Sequence, residues 1–437
     1  MSAELITVLM LASLAILLTG FPLAFCIGTV GLVFGLISGG PVFLYMIPTR
    51  IMTGVLSNYI LAAVPLFIFM GNMMTISGIA DKAFYILERW MGGIRGGVAI
   101  ATIVLAVIFA ATTGVVGASV TAIGLLAVPV MLRGGYSQAL ASGCVCAGGT
   151  LGILIPPSIM LILYAPMAGV SVIKMFAGAI VPGLLLGLFF ILYILIYTFL
   201  KPESAPALPA EERVSFFTLQ SLIDGFKYLV PPVVLILVIL GSILMGFASP
   251  TEAGAIGCVA TTIMAIAYRK LNLRNFLDAC YQTIKVNAMI ILIAIAASLF
   301  TGAFLNAGCG KVIVNALNSL GLGRWGILII LLTIILFLGM FIDWIGILMI
   351  LIPIFAPMLS KLGFDPLWIG IVICTSLQMS FLTPPFAYSI FYLKGINDEL
   401  TLNNIYKGVV PFVIIQLMVT VLIIIFPQLC LWLPNMM

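Results

Sequence analysis

The sequence predicts an all-α polytopic membrane protein, built as an inverted repeat with two re-entrant helical hairpins and two broken helices. Three observations carry this. First, 64% of the 437 residues are hydrophobic and 7% are charged, where a soluble chain carries about 25% charged residues. Second, Pro and Gly landmarks recur at one offset along the chain. Third, two apolar runs are too long for one span and have helix breakers at their centres. The mean hydropathy of +1.34 rules out a soluble enzyme with a small anchor, because no polar stretch is long enough to fold alone. An outer-membrane barrel is disfavoured, since its strands would alternate apolar and polar residues. Histidine is absent, which removes imidazole bases, metal ligands and proton relays. The net charge of +5 bears on membrane orientation and not on nucleic acid.

Taken in order, residues 1–59 read as N-terminal scaffold helices. Their apolar run, 5–38, is one tilted helix or two short ones broken at Gly20-Phe21-Pro22. Without a basic stretch at its start it reads as a retained helix and not a removed signal. Gly28, Gly31, Gly35 and Gly39 have the small-residue spacing of a helix-packing face. Residues 60–200 form a first repeat with a hairpin at 97–133, and 286–437 a second with a hairpin at 325–360. Between them, 201–285 reads as a linker, opening with the polar stretch KPESAPALPAEER, and connecting scaffold helices. Amphipathic stretches precede both hairpins, at 80–92 (Phe84, Leu87, Met91) and 310–321 (Ile313, Leu317, Leu320). They are either passive interfacial helices or arms joining a moving part to a fixed one. Cys144 and Cys146 are read as small packing residues.

The repeat is carried by Pro129 and Pro357, Gly135 and Gly363, and Pro156-Pro157 and Pro384-Pro385, each 228 positions apart. The hairpin tips read TTGVVGAS at 112–119 and GMFIDWIG at 339–346, almost free of charge, as befits tips buried in protein near the midplane. After each comes a helix interrupted by Pro-Pro: GGTLGILIPPS at 148–158 and QMSFLTPPFAYS at 378–389. Paired interruptions at matching places in a repeat point to a binding site. If the hairpins do not cross, five spans precede the second half and invert it. With Arg269, Lys270, Arg274 and Lys285 on the cytoplasmic side, thirteen Lys and Arg fall inside and five outside (Arg50, Lys174, Lys311, Arg324, Lys361).

The run GGYSQALASGCVCAGGTLGILIPPSIMLILYAPMAG resembles the large membrane subunit of the tripartite ATP-independent periplasmic (TRAP) transporters. So do TEAGAIG at 251–257, GMFID at 339–343, FLTPPF at 381–386 and IFPQLCLWLP at 425–434. The resemblance covers nearly the whole chain. It implies sodium-driven uptake of an organic acid anion in the bacterial inner membrane. It implies as partners a small membrane subunit and a periplasmic substrate-binding protein, and an elevator motion of a transport domain against a scaffold. The first tip departs from the family's Ser-rich form, and FAYSIFYLKG after the second Pro-Pro is more aromatic than in dicarboxylate-type members.

Broken helices offer N–H donors for a carboxylate at their N-terminal ends and carbonyl oxygens for Na⁺ at their C-terminal ends. No acid lies between Glu88 and Glu203, so a first sodium site must use Thr112, Thr113, Gly114, Ser119, Gly149 and Thr150. The hydroxyls among these have a competing role in helix capping and back-bonding. A second site draws on Gly339, Met340, Asp343, Thr383 and Pro384, giving two or more sodium sites in all. Substrate is placed near Ser119, Ser158, Thr383, Ser389 and Tyr388. Glu252, after Pro250-Thr251, reads as a helix-start carboxylate, and Lys285 with Asn287 as a snorkelling pair. Two other readings compete. A stand-alone sodium–carboxylate carrier of similar design would need no soluble partner. A polytopic membrane enzyme would need a base, nucleophile or metal cluster that these acid-poor, His-free segments lack; no catalytic residue is assigned.

Overall fold

The computed structural model describes residues 21–437 except 210, 212–217, 320 and 385–386, together with Val8, Ala12 and Ile16. It also leaves the side chains of 111–113 and of 311, 314 and 316–318 undescribed. Among the described residues the chain is helices and turns, without a strand. Among the described residues eight helices are long and apolar enough to cross a membrane, so the protein is a multi-pass membrane protein.

The first helices with described bounds are α1 (Leu23–Gly39) and α2 (Val42–Ile51), followed by α3 (Ala63–Ile76). Pro22 directly precedes α1, which suits the broken alternative of the two courses read for 5–38; Gly20 lies outside the described residues. The amphipathic α4 (Ile79–Met91) buries Ile79, Ala83, Phe84, Ile86 and Leu87 and keeps Asp81 off that face. A hairpin of α5 (Gly97–Thr113) and α6 (Val116–Arg133) comes next, then α7 (Gln138–Thr150), a break, α8 (Ile159–Ala168) and the long α9 (Val172–Leu200). The middle of the chain supplies α10 (Leu219–Leu244), α11 (Pro250–Ala267) and α12 (Leu273–Asn306). The second half replays the first: α13 (Cys309–Ser319), the hairpin α14 (Arg324–Gly339) and α15 (Trp344–Lys361), α16 (Pro366–Ser380), a break, α17 (Tyr388–Ile396) and α18 (Leu402–Ile425). Helix α19 (Gln428–Asn435) closes the chain.

The repeat survives at single-residue resolution. Val116 and Trp344 open the second arms of the two hairpins 228 positions apart, and Gln138 and Pro366 open the helices that follow at the same spacing. Packing obeys the same symmetry: α18 lies on α7, and its counterpart α9 lies on α16. The α7–α18 approach is so close that a Cβ on Gly143 would stand 2.3 Å from the Gly408 carbonyl oxygen. Small residues at helix crossings serve this purpose in membranes, where no hydrophobic force drives apolar helices together.

Two sets of helices emerge. α1, α2, α3, α10, α11 and α12 pack largely on one another: α1 on α12, α11 on α3, α12 on α3. Gly28 and Gly31 of α1 seat on α12, where a Cβ at Gly31 would meet the Phe300 backbone nitrogen at 2.7 Å, while Gly35 and Gly39 lie against Phe43 of α2. The hairpins, broken helices, α9, α18 and α19 form the other set. Helix α4 touches both, packing on α5 and on α10. Its Trp90 indole donates to the Ser221 hydroxyl on α10 at 2.5 Å. The polar stretch between the halves is strapped down at its start: Gly96 N–H donates to the Ala205 carbonyl at 3.0 Å, and Ser137 N–H to the Ser204 carbonyl at 2.9 Å.

Away from the breaks, helix ends are satisfied by the side chains the sequence places there. Ser249 and Glu252 form a capping box on α11: the Ser249 N–H and hydroxyl donate to Glu252 Oε2 at 2.7 and 2.8 Å, and Glu252 N–H returns a bond to Ser249 Oγ at 3.3 Å. This satisfies orphan donors at the helix start and accords with the helix-start role read for Glu252.

Candidate functional site

Each broken helix stops where its prolines remove donors and block the next turn. After α7 a short 3₁₀ turn, Leu151–Ile153, runs into extended backbone at Ser158, whose hydroxyl donates to the Ile153 carbonyl. After α16, Leu382 and Thr383 turn back with N–H bonds to Met379 and Ser380 carbonyls, and Ser389 N–H donates across the break to the Phe381 carbonyl at 3.3 Å. The Thr383 hydroxyl donates to the Met379 carbonyl at 2.8 Å. Pro384 is exposed.

The two hairpin tips solve the same reversal differently. The first turns through Gly114 in the left-handed region (φ +59) and extended Val115, a path that a side chain at 114 would strain. The second turns through Met340–Ile342 and ends on Asp343, whose carboxylate accepts the Ile345 N–H at 3.4 Å and caps α15. Each tip lies against one of the broken helices. A Cβ on Gly149 would stand 2.3 Å from the Val120 side chain, next to Ser119; one on Gly339 would stand 2.2 Å from Ser380 Cβ. Ser119 and Gly149 of the first expected sodium group are thus brought together. Gly339 of the second meets the helix end that leads to Thr383. The side chains of Thr112 and Thr113 lie outside the described residues.

Thr150 sits at the junction of the repeats. Its hydroxyl donates to the Ala147 carbonyl at 2.7 Å and accepts from Gln378 Nε2 at 3.2 Å and Gln416 Nε2 at 3.1 Å. All three side chains are fully buried. Gln378 stands 228 positions after Thr150, so the pair consists of repeat equivalents in direct contact. That places the pseudo-two-fold axis at this bond.

A cavity of about 500 Å³ opens between the hairpin tips and the scaffold helices α1 and α12. Gly114, Val115, Asp343, Trp344, Tyr388 and Tyr392 contribute to its wall on the hairpin side; Phe25 of α1 and Met289 of α12 face them. Among the described residues its one charged lining residue is Asp343, and no Lys or Arg lines it. Of the residues expected around substrate, Tyr388 lines this cavity. Ser119 borders a small separate pocket with Phe109 and Gly148. Ser158, Thr383 and Ser389 do not line the cavity; Ser389 is fully buried, with no hydrogen-bond partner for its hydroxyl. The Ser389 carbonyl accepts from Cys146 Sγ at 3.6 Å. Sequence reasoning missed Tyr392 and Trp344, although both stand in the motifs it quoted. It also missed the scaffold wall, which no local pattern foretells.

A family model described as "Tripartite ATP-independent periplasmic transporter, DctM component" matches residues 9–429. The chain is 34% identical to the C4-dicarboxylate TRAP transporter large permease protein DctM of Pseudomonas aeruginosa, across 86% of this chain and 87% of that one. It is 31% identical to the ectoine/5-hydroxyectoine TRAP transporter large permease protein UehC of Ruegeria pomeroyi, across 86% of each. With the sialic acid TRAP transporter large permease protein SiaM of Vibrio cholerae it shares 26% identity, across 97% of each. Among solved structures, the Alcanivorax borkumensis YdaH transporter is similar in fold (TM-score 0.65, 15% identity, 94% of this chain and 97% of that one). So is MtrF of Neisseria gonorrhoeae (TM-score 0.60, 13% identity, 91% and 85%). A tip-and-break architecture read from the residues, a family match along almost the entire length and relatives of this identity lead to one conclusion: the chain belongs to the DctM family, as the large membrane subunit of a TRAP transporter.

Proposed function

We propose that this subunit catalyses sodium-driven uptake of an organic acid anion across the bacterial inner membrane, with a small membrane subunit and a periplasmic substrate-binding protein as partners. The observation that carries the reading is the cavity of about 500 Å³ at the seam of the two helix sets, walled on one side by both hairpin tips. A site there is carried by one set against a wall of the other, which is the geometry an elevator motion needs. Helix α4, packed on α5 and bonded to α10 through Trp90, is a fitting arm for that motion. The ligands named for the relatives, C4-dicarboxylates, ectoine and sialic acid, all carry an acidic oxyanion group.

Sodium is cargo in this scheme. The first group that would hold it is the tip from Gly114 to Ser119 with Gly149; the second is Gly339, Met340, Asp343 and Thr383. Oxygen ligands of carbonyl, hydroxyl and carboxylate type suit a hard cation, and such ligands are what unwound helix ends supply. The two hairpins are read as re-entrant. Their arms, at about 25 Å for 16–18 residues, come close to the hydrocarbon thickness of about 30 Å, so length alone admits either course. The near absence of charge at the tips and their packing against the broken helices favour the re-entrant one.

Reconstitution tests the reading. In liposomes with an imposed Na⁺ gradient, this chain alone should not accumulate succinate, sialic acid or ectoine. Adding the small subunit and the binding protein encoded beside it should start uptake of the acid that the binding protein carries. Uptake by this chain alone would favour the stand-alone carrier, and uptake indifferent to Na⁺ would remove the sodium coupling.

A further inference from the structure

A second cavity, of about 190 Å³, lies at another part of the seam between the two helix sets. Its fixed wall is the end of α2, the π-helical turn Met52–Leu56 that follows, and α12; its other wall is α8 and α15, through Met167, Met349 and Pro353. Arg50 lines it, with Asn58, Ser298 and Thr301, and no acidic residue does. Arg50 Nε is buried and has no hydrogen-bond partner, and the guanidinium makes no ion pair among the described residues. Its position is built, not accidental. It lies over Gly302 of α12, where a Cβ would stand 2.4 Å from Arg50 Cζ, so any side chain at 302 would evict it. Asn58 spends its carboxamide oxygen on the Ile60 N–H at 3.1 Å, which leaves its amide as a donor toward the same space.

Arg50 is partly buried, and a buried donor without a partner, as its Nε is, is costly to leave unsatisfied. A guanidinium fork beside an amide and a hydroxyl is a donor set for a planar oxyanion. The cavity has many times the volume that one water needs. The contrast with the larger cavity is direct: that one holds a carboxylate and no cation, this one a cation and no carboxylate. The Lys/Arg count puts Arg50 on the periplasmic side.

We propose that Arg50, with Asn58 and Ser298, forms a staging site for the carboxylate of the incoming acid, occupied before the substrate enters the cavity between the hairpin tips. The staging role rests on the uptake reading above; oxyanion binding at Arg50 does not, and it is tested separately.

The test is phenylglyoxal modification of the full-length chain in phosphatidylcholine nanodiscs, read arginine by arginine by peptide mass spectrometry. Succinate should slow modification of Arg50 by about tenfold, the equivalent of a charge-assisted bond, and leave the exposed Arg133 and Arg269 unchanged. Radiolabelled succinate retained by the wild type in equilibrium dialysis should fall in Arg50→Gln and partly return in Arg50→Lys, both eluting as monodisperse particles. Arg50 modified at one rate with or without succinate would overturn the proposal. So would protection by added phosphatidylglycerol without protection by succinate, which would make the site a lipid-phosphate contact. Failure of the three-part assembly to transport any acid would count against the uptake reading and leave the Arg50 result intact.

Discussion

The two hairpin tips do the same mechanical job with different chemistry. The first reverses through a left-handed glycine, Gly114, and carries hydroxyls but no acid. The second reverses without a left-handed residue and finishes on the capping carboxylate of Asp343. Around them the halves match helix for helix at a spacing of 227–230 residues. The lesson is that the repeat preserves the fold of the site and not its charge. Both tips reach the cavity, through Gly114 and through Asp343, yet only the second brings charge to it.

The largest effect should come from cutting the bond on which the two halves meet. Thr150→Val keeps the shape but removes the acceptor for two buried amides, Gln378 and Gln416. Each orphaned donor costs about 1–3 kcal/mol, so thermal unfolding in detergent should show a loss of about 2–5 kcal/mol. A loss under about 1 kcal/mol would mean that the repeats do not depend on this junction.

Next is the turn of the first tip. Gly114→Val forces a β-branched residue to φ +59 and drives its Cβ to 3.0 Å from Ile159 Cδ1. The conformational cost is about 1–2 kcal/mol, and uptake should fall more than stability, because the tip walls the cavity. The equivalent substitution at Met340, already at φ −69, should cost little. Equal costs at the two tips would erase the contrast between them.

The smallest expected stability change, and the sharpest functional one, belongs to Asp343. Asparagine caps a helix about as well as aspartate but brings no charge. Asp343→Asn should unfold at the wild-type temperature and raise the Na⁺ concentration for half-maximal uptake severalfold. Asp343→Ala should in addition lose about 1 kcal/mol with the cap. A normal Na⁺ titration in a well-folded Asn variant would leave Asp343 as a cap alone.

Much of this architecture was legible before any coordinates. Pro-Pro and Gly cannot be hidden in an apolar run, so both breaks and both reversals announced themselves, and Asp343 stood out as the one acid in a tip. The 228-residue offset even contained the Thr150–Gln378 contact, though nothing in the sequence says that two equivalents will touch. What stayed illegible depends on helices meeting across the molecule. Ser158, Thr383 and Ser389 were placed near substrate because they flank the breaks, but Ser158 turns its hydroxyl onto the Ile153 carbonyl of the preceding 3₁₀ turn and Thr383 onto Met379 of α16, and Ser389 is buried away from the cavity. Arg50 entered the sequence reading only as one charge in an orientation count. The stretch after Lys201 read as a linker because it is polar and Pro-rich, and its first residues bond to the backbone at Gly96 and Ser137.

The central claim is that both tips wall a site that opens to one side of the membrane and then the other. Val115 lines the cavity at the first tip. A single cysteine there, in a chain with its eight native cysteines replaced, can be challenged with a membrane-impermeant maleimide from each face of oriented proteoliposomes containing the complete transporter. The account predicts labelling from the periplasmic face in one condition of Na⁺ and substrate-loaded binding protein, and from the cytoplasmic face in another. Labelling from a single face under every condition would contradict it.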